Sequence, residues 1–405
     1  MPWKETSPVN ERVKFIAAYL QAEDSFVELC ARFGISRKQG YKWRERYYEG
    51  GVEALVDRSR APHCHPHAVS DAIVELLVEA RQRHPRWGPR KLLALLGRRH
   101  SNLVLPVAST VGEILRRQGL IGKRRRVRRS HPYGERLGGY DAANAIWCAD
   151  FKGHFAVGGQ RCHPLTISDG FSRYLLRCQA MPRPLSNPVH RGFEAAFREY
   201  GLPDAIRTDN GPPFSTLAPG GLSRLAVWWI RLGIRPERIL PGRPDQNGRH
   251  ERMHRTLKAE TAKPPRSSLR AQQRAFNAFR REYNDERPHE ALGQATPASL
   301  YRPSTKPYPA NLPEPEYPSH FRVERAYSNG VISVLGSQWY MSNCLAGEVV
   351  GLEEVDDGRY TVHFGPIVLG MLDARNARER GDRRFGLLVR TDGEVTRKRR
   401  RWRRR

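Results

Sequence analysis

Between residues 8 and 50, apolar side chains recur at the three-to-four-residue spacing of helices. The spacing predicts a first helix that buries Val13, Phe15, Ile16, Ala17 and Leu20. Ser25 stands where it would cap a second, whose apolar face is Phe26, Val27, Leu29 and Cys30. After the short turn Gly34-Ile35-Ser36, Ser36 caps a third helix with Tyr41 and Trp43 turned inward. This reads as a helix-turn-helix, and a plain three-helix bundle is the simpler alternative. Its third helix leaves Arg37, Lys38, Gln39, Lys42 and Arg44 outward, side chains suited to base edges and phosphates. From about 69 to 121 a second helical unit follows, with Ile73, Leu76, Leu77 and Ala80 on its first helix. Its second helix starts near Pro89, and Ser109 caps the third.

Beyond residue 144 the pattern changes to mixed strand and helix. An apolar stretch, Ala145 to Ala149, leads into Asp150, and Asp169-Gly170 reads as a hairpin turn. A helix is predicted over Pro188 to Tyr200, and a short strand from Ala205 to Arg207 runs up to Asp209. Further helices cover about Ser223 to Leu232, Gly248 to Glu260 and Leu269 to Asn284. The proline-rich stretch 302–320 reads as a semi-rigid spacer. Short strands with glycine turns then alternate as far as residue 373, the pattern of a small β-barrel. The chain is thus multidomain: helix-turn-helix domains at 1–60 and 66–122, a basic linker at 123–143 and an α/β core at 144–302. A linker at 303–320, a small β-barrel at 321–374 and a basic tail at 375–405 complete it.

Charge narrows the function. Lys and Arg total 70 against 42 Asp and Glu, a formal net charge of +28. An excess of that size calls for a polyanion, and phosphate backbones are the commonest one. Two helical units in tandem would cover more DNA than either alone, with Arg90 and Lys91 contributed by the second. The connector KRRRVRR, which begins Lys123, Arg124, Arg125, can lie along phosphates, and the tail RKRRRWRRR is suited to nucleic acid. Six scattered cysteines without a CxxC pair read as reduced thiols of a cytoplasmic, nucleoid-associated protein. PHCHPH (62–67) packs His and Cys too closely for ordinary zinc-ligand spacing and reads as linker. With no signal peptide and no apolar run approaching about 18 residues, secretion and membrane spanning are not expected.

Three acids carry the candidate chemistry: Asp150 in AIWCADFKG, Asp209 in AIRTDNGPPF and Glu251 in PGRPDQNGRHERMHRTLKAE. Mg²⁺ and Mn²⁺ prefer oxygen ligands, and a single carboxylate cannot hold two ions at the spacing phosphoryl transfer uses. None of the surrounding motifs offers a better supported Ser-His or Cys-His pair.

These three motifs, with RREYNDERPHEALGQATPASLY from Arg280 onward, resemble the integrase-core DDE transposases of bacterial insertion sequences, relatives of retroviral integrases. The resemblance spans most of residues 1–302. It implies an RNase H-like core with a five-stranded mixed sheet flanked by helices. It also implies catalysis and metal binding by Asp150, Asp209 and Glu251, with Asp150 bridging two Mg²⁺ ions (Mn²⁺ as substitute). The implied partners are double-stranded DNA, as terminal inverted repeats and target, and further copies of the chain in a dimer or larger assembly. The family's usual spacing, counted from Asp209, lands on Asp245. Glu251 is preferred because it matches the local NGxxER pattern and helical phase puts Arg255 and Lys258 on its face, placed to hold phosphates.

Neighbouring residues have more ordinary roles. Asn210 and Gly211 shape the turn behind Asp209, and Gln246 and Asn247 either approach DNA or, for Asn247, cap the helix. His250 and His254 are expected to face solvent or phosphate, and Trp228 and Trp229 to lie in the core. Two rival functions remain: a DNA-binding regulator that has lost catalysis, and an RNase H-like nuclease selective for structure.

Overall fold

The computed structural model describes residues 7–58, 68–122, 140–216, 218–239, 248–375 and 386–387. The connector 123–139, the PHCHPH stretch, the segment 240–247 and most of the tail lie outside the described residues.

The N-terminal unit contains α1 (Pro8–Gln21), α2 (Phe26–Arg32) and α3 (Arg37–Gly50). Ser25 and Glu28 form a reciprocal capping box, and Ser36 accepts from the Gln39 amide, so both expected caps are present. The core is Phe15, Ile16, Leu29, Cys30, Trp43 and Leu55. Gly40 lets α3 close on α2, since a Cβ there would lie 2.7 Å from Cys30 Sγ. Four residues expected inside are exposed instead: Ala17, Leu20, Val27 and Tyr41. Each short helix buries one narrow stripe, through Phe15, Ile16 and Tyr19 on α1, and the other four flank those stripes. Tyr41 stacks on Phe26 at 4.4 Å on the rim.

The second helical unit is α4 (Asp71–Arg83), α5 (Pro89–Arg99) and α6 (Ala108–Arg117), packed around Leu77, Trp87, Leu92, Leu96, Val111 and Leu115. Pro89 opens α5 as expected. Val107, not Ser109, occupies the cap position of α6, which begins with Ala108, so Ser109 lies inside the first turn.

The α/β-core sheet uses β1 (Ile146–Phe151), β2 (Phe155–Val157), β3 (Gln160–Asp169) and β4 (Leu175–Met181). Then come α7 (Ser186–Tyr200), β5 (Ala205–Thr208), α8 (Arg224–Arg231) and β6 (Arg235–Arg238). The helices α9 (Gly248–Thr261), α10 (Leu269–Arg281) and α11 (Pro297–Leu300) follow. β4, β3 and β1 pair antiparallel, while β1, β5 and β6 pair parallel, giving the expected mixed sheet. The short β2 adds to β3 beyond the end of β1. Both faces are covered, which explains the unbroken apolar run of β1. Trp147 and Ala149 join Phe193, Phe197 and Trp229 under α7 and α8, and α9 and α10 cover the other face with Met253, Leu257, Phe276 and Phe279. The expected Asp169-Gly170 turn forms, with Asp169 accepting from the Asn144 and Ser172 amides at 2.7 Å each.

The C-terminal strands are β7 (Arg322–Arg325), β8 (Val331–Val334), β9 (Ser337–Tyr340), β10 (Val349–Asp356), β11 (Arg359–Phe364), β12 (Ile367–Asp373) and β13 (Gly386–Leu387). The barrel expected from their alternation is not closed among the described residues. One four-stranded sheet runs β12-β11-β10-β7 and a separate one runs β13-β9-β8. The apolar faces that a closed barrel would turn inward are covered here by α8: Ala226, Val227 and Ile230 pack with Ile332, Trp339, Val350, Val362 and Phe364. This helix is buried on two sides, by the α/β core and by these sheets.

The proline-rich stretch, expected as a semi-rigid spacer, packs as a strap on the core. Tyr308 and Leu312 pack against the α/β core, Leu202 N–H donates to the Lys306 carbonyl at 2.8 Å, and Arg231 donates to the Leu312 and Pro313 carbonyls. Among the described residues no helix is long and apolar enough to cross a membrane.

Candidate active site and nucleic-acid groove

Asp150 stands at the end of β1 because the strand alternates: Trp147 and Ala149 point to the α7 side and Asp150 to the other. The parallel ladder of β1 and β5 ends at Cys148 beside Arg207. Two residues further along stand Asp150, still on β1, and Asp209, just past the end of β5, whose charge acts on Asp150. Burial, and then the Asp209 carboxylate, hold the Asp150 carboxyl at about 7, far above its ordinary 3.8. Burial also raises Asp209. The turn behind Asp209 is built as expected: Gly211 N–H donates to its Oδ1 at 3.2 Å and Asn210 Nδ2 to the Ile239 carbonyl at 2.8 Å.

Glu251 is exposed in the first turn of α9, where the helix dipole favours a carboxylate. Its negative charge is a smaller contributor to the raised Asp150 pKa. Among the described residues neither Asp209 nor Glu251 forms an ion pair, and no group of three His, Cys, Asp or Glu side chains is gathered tightly enough to hold a metal. Asp245, Gln246 and Asn247 lie outside the described residues.

His250 and His254 correct an expectation. Each is 2 % exposed, facing neither solvent nor phosphate. Helix phase explains it: His250, Met253, His254, Leu257 and Thr261 form the buried stripe of α9, a signal already present in the spacing. Both imidazoles reach Thr166 Oγ1, from Nε2 at 2.7 Å for His250 and 2.6 Å for His254. Thr166 Oγ1 donates to the Asp150 carbonyl at 3.1 Å, and Ser168 Oγ lies 3.1 Å from His250 Nδ1. Burial lowers the His250 pKa to about 3 and lowers that of His254 as well, so both rings are neutral. Each then donates its Nε2–H to Thr166, and Ser168 donates to His250, an arrangement that satisfies every one of these contacts. The Thr166 bond to the Asp150 carbonyl ties this network to the strand end that carries the acid. Thr166→Val would strand two buried N–H donors, and is expected to cost roughly 2–3 kcal/mol. Urea unfolding measures it, and a loss below about 0.5 kcal/mol would refute the hydrogen-bond account.

Beside the acids runs a groove of about 730 Å³, lined by Glu251 and six cations: Arg86, Lys152, Arg252, Arg255, Lys258 and Lys263. The expected pair Arg255 and Lys258 is there, one and two turns past Glu251. Sequence reasoning missed Lys152, although it follows Asp150 by two residues, and Arg252, beside Glu251. Lys263 follows the end of α9, while nothing in the local sequence could place Arg86 in this wall.

The other candidate DNA contacts divide. Arg37, Lys38, Gln39 and Lys42 are exposed on α3, and Arg44 lies with its guanidinium 4.9 Å from the Tyr41 ring. Arg90 pairs with Glu290 at 2.8 Å. Lys91 is partly buried, and burial followed by the Arg287 charge lowers its pKa to about 8. Both are turned toward the α/β core. Lys123, Arg124 and Arg125 lie outside the described residues.

Models of the integrase core domain match residues 141–244 and 232–297. A helix-turn-helix domain matches 11–63 and a homeodomain-like domain 39–115. The chain is 30% identical over 239 residues to the insertion element IS407 uncharacterized 31.7 kDa protein of Burkholderia multivorans, covering 58% of this chain and 82% of that protein. To the IS476 uncharacterized 39.2 kDa protein of Xanthomonas euvesicatoria it is 30% identical over 243 residues, covering 58% of this chain and 66% of that protein. The HTLV-2 integrase catalytic core domain in complex with magnesium aligns at 20% identity and a TM-score of 0.32, over 40% of this chain and 98% of that one. With integrase-core matches over the α/β sheet and its acids, and helix-turn-helix matches ahead of them, the chain belongs to the integrase-core family of insertion-element proteins.

Proposed function

We propose that the protein is a DNA transposase that binds the terminal inverted repeats of its insertion element, hydrolyses a phosphodiester bond at the element end and joins the exposed 3′-OH to target DNA. The observation that supports this reading is a groove lined by Glu251 and six cations, with the charges of Asp209 and Glu251 both acting on the Asp150 carboxyl. A phosphate backbone needs such cations, while a carboxylate with no cationic partner in the same place fits a site completed by a divalent ion.

Asp150, Asp209 and Glu251 would hold Mg²⁺ or Mn²⁺. Two such ions, when bound, would activate the attacking oxygen and neutralise the leaving one. The chain's own residues do the rest. Lys152, Arg252, Arg255 and Lys258 neutralise and orient the phosphates beside Glu251. Thr166, His250 and His254 brace the Asp150 end of β1 so that the acid's position does not relax when DNA arrives. The exposed polar face of α3 reads the repeat. Joining two ends calls for a dimer or larger assembly on DNA.

Incubating the full-length protein with an end-sequence duplex and Mg²⁺ tests the reading. A nick at the element end, followed by strand transfer, is expected. Stable binding with no nick would favour a regulator, and cleavage indifferent to the end sequence would favour a structure-selective nuclease.

A further inference from the structure

Arg86 reaches the groove from outside the catalytic core. It lies between α4 and α5, in the second helical unit, yet lines the same groove as Glu251, Lys152 and Arg255. Its neighbours hold that position. His84 is buried, stacks on Trp87 at 3.9 Å, and its Nδ1 lies 3.0 Å from Glu282 Oε1 in the core. Arg98 donates to the Glu286 carbonyl at 2.7 Å, and Arg90 pairs with Glu290. Trp87 is itself buried, with the Arg287 guanidinium 5.8 Å from its ring. The backbone on both sides of Arg86 is therefore anchored while its side chain stays exposed. Among the described residues it makes no ion pair, unlike Arg90 and Arg99 nearby.

We propose that Arg86 is a phosphate-positioning residue, contributed to the catalytic groove by the second helical unit of the same chain. The duplex bound by that unit is then held beside Glu251 in cis, with one wall of the groove supplied by the helices and the other by α9. This rests on the reading of the groove as a DNA site. A solvated arginine would need neither the anchored backbone nor the shared groove. A phosphate contact needs a cation whose reach is set before the strand arrives, and the two anchored neighbours provide that.

The salt dependence of duplex binding by the full-length protein tests this, because each phosphate neutralised contributes about 0.9 to the slope of log K against log salt. Arg86→Gln is expected to make the slope shallower by about that amount, on end and unrelated duplexes alike. Arg86→Lys is expected to restore it, since counterion release counts charge. Arg255→Gln and Lys258→Gln report on the core wall. If they move the slope and Arg86→Gln does not, the contribution of the helical unit is refuted while the groove remains a DNA site. If none of the three moves it, the groove does not take duplex DNA and both readings fall. If Arg86→Lys behaves like Arg86→Gln, the effect is not one of charge, and the proposal is wrong.

Discussion

Replacing Asp150 by Asn is expected to abolish strand cleavage and transfer while leaving duplex binding intact. The two side chains have nearly the same shape, so β1 and its pairing with β3 and β5 are undisturbed. What is lost is one negative charge at the centre of the proposed metal site. The loss should reach about three orders of magnitude or more, roughly 4 kcal/mol of transition-state stabilisation. Asp209→Asn and Glu251→Gln should behave alike, and Asp245→Asn should retain cleavage. If Asp245→Asn were dead and Glu251→Gln active, the third acid would have been misassigned. A second readout separates the site from a general defect. Folding buries the Asp150 carboxylate beside Asp209 and raises its pKa from 3.8 to about 7, so at neutral pH the ionised form opposes folding. That penalty is absent below the unfolded pKa and grows as pH rises through 3.8 toward 7. In metal-free buffer at pH 8, Asp150→Asn should therefore melt higher than the parent protein. A variant both inactive and less stable would mean that Asp150 is structural.

Phe197→Ala should be the most damaging change away from the site. Phe197 is fully buried under the sheet, with ring centroids 5.7 Å from Trp147, 5.2 Å from Trp228 and 6.2 Å from Tyr308. It thus ties β1, α8 and the proline-rich strap to one point of α7. Removing the ring leaves a cavity that a two-sided sheet cannot close, at a cost of roughly 3–5 kcal/mol. The thermal midpoint of the core should fall by on the order of 10 °C. Phe197→Leu, which fills most of the space, should fall by clearly less. A shift of under about 2 °C for the alanine variant would show that the core repacks around the loss. Because the strap is attached here, limited proteolysis within 303–320 should also accelerate in the alanine variant.

Helices were the most legible elements, because each short segment carries its own periodicity and its own cap. Ser25, Ser36 and Pro89 open helices where expected. Which flank of a helix faces inward was less legible: Leu20, Val27 and Tyr41 lie beside the buried stripes, and that choice depends on how neighbouring helices meet. For His250 and His254 the period was readable, but two imidazoles do not look like core until Thr166 is known to accept from both. The β-alternation beyond residue 321 shows where strands lie and not which edges pair, so the two sheets covering α8 could not be told from a closed barrel.

Sequence alone determined what depends on short range. It located the helices and their caps, the strands that lead to Asp150 and Asp209, the helix that starts beside Glu251, and the excess of positive charge. The tertiary structure alone decided what depends on distant segments meeting. Parallel pairing of β1 with β5 brings Asp150 within electrostatic reach of Asp209, and docking of the second helical unit carries Arg86 to the groove. Those outcomes rest on contacts between residues far apart in the chain. A local pattern of polar and apolar positions says which face of an element is buried, and holds no record of which other element buries it.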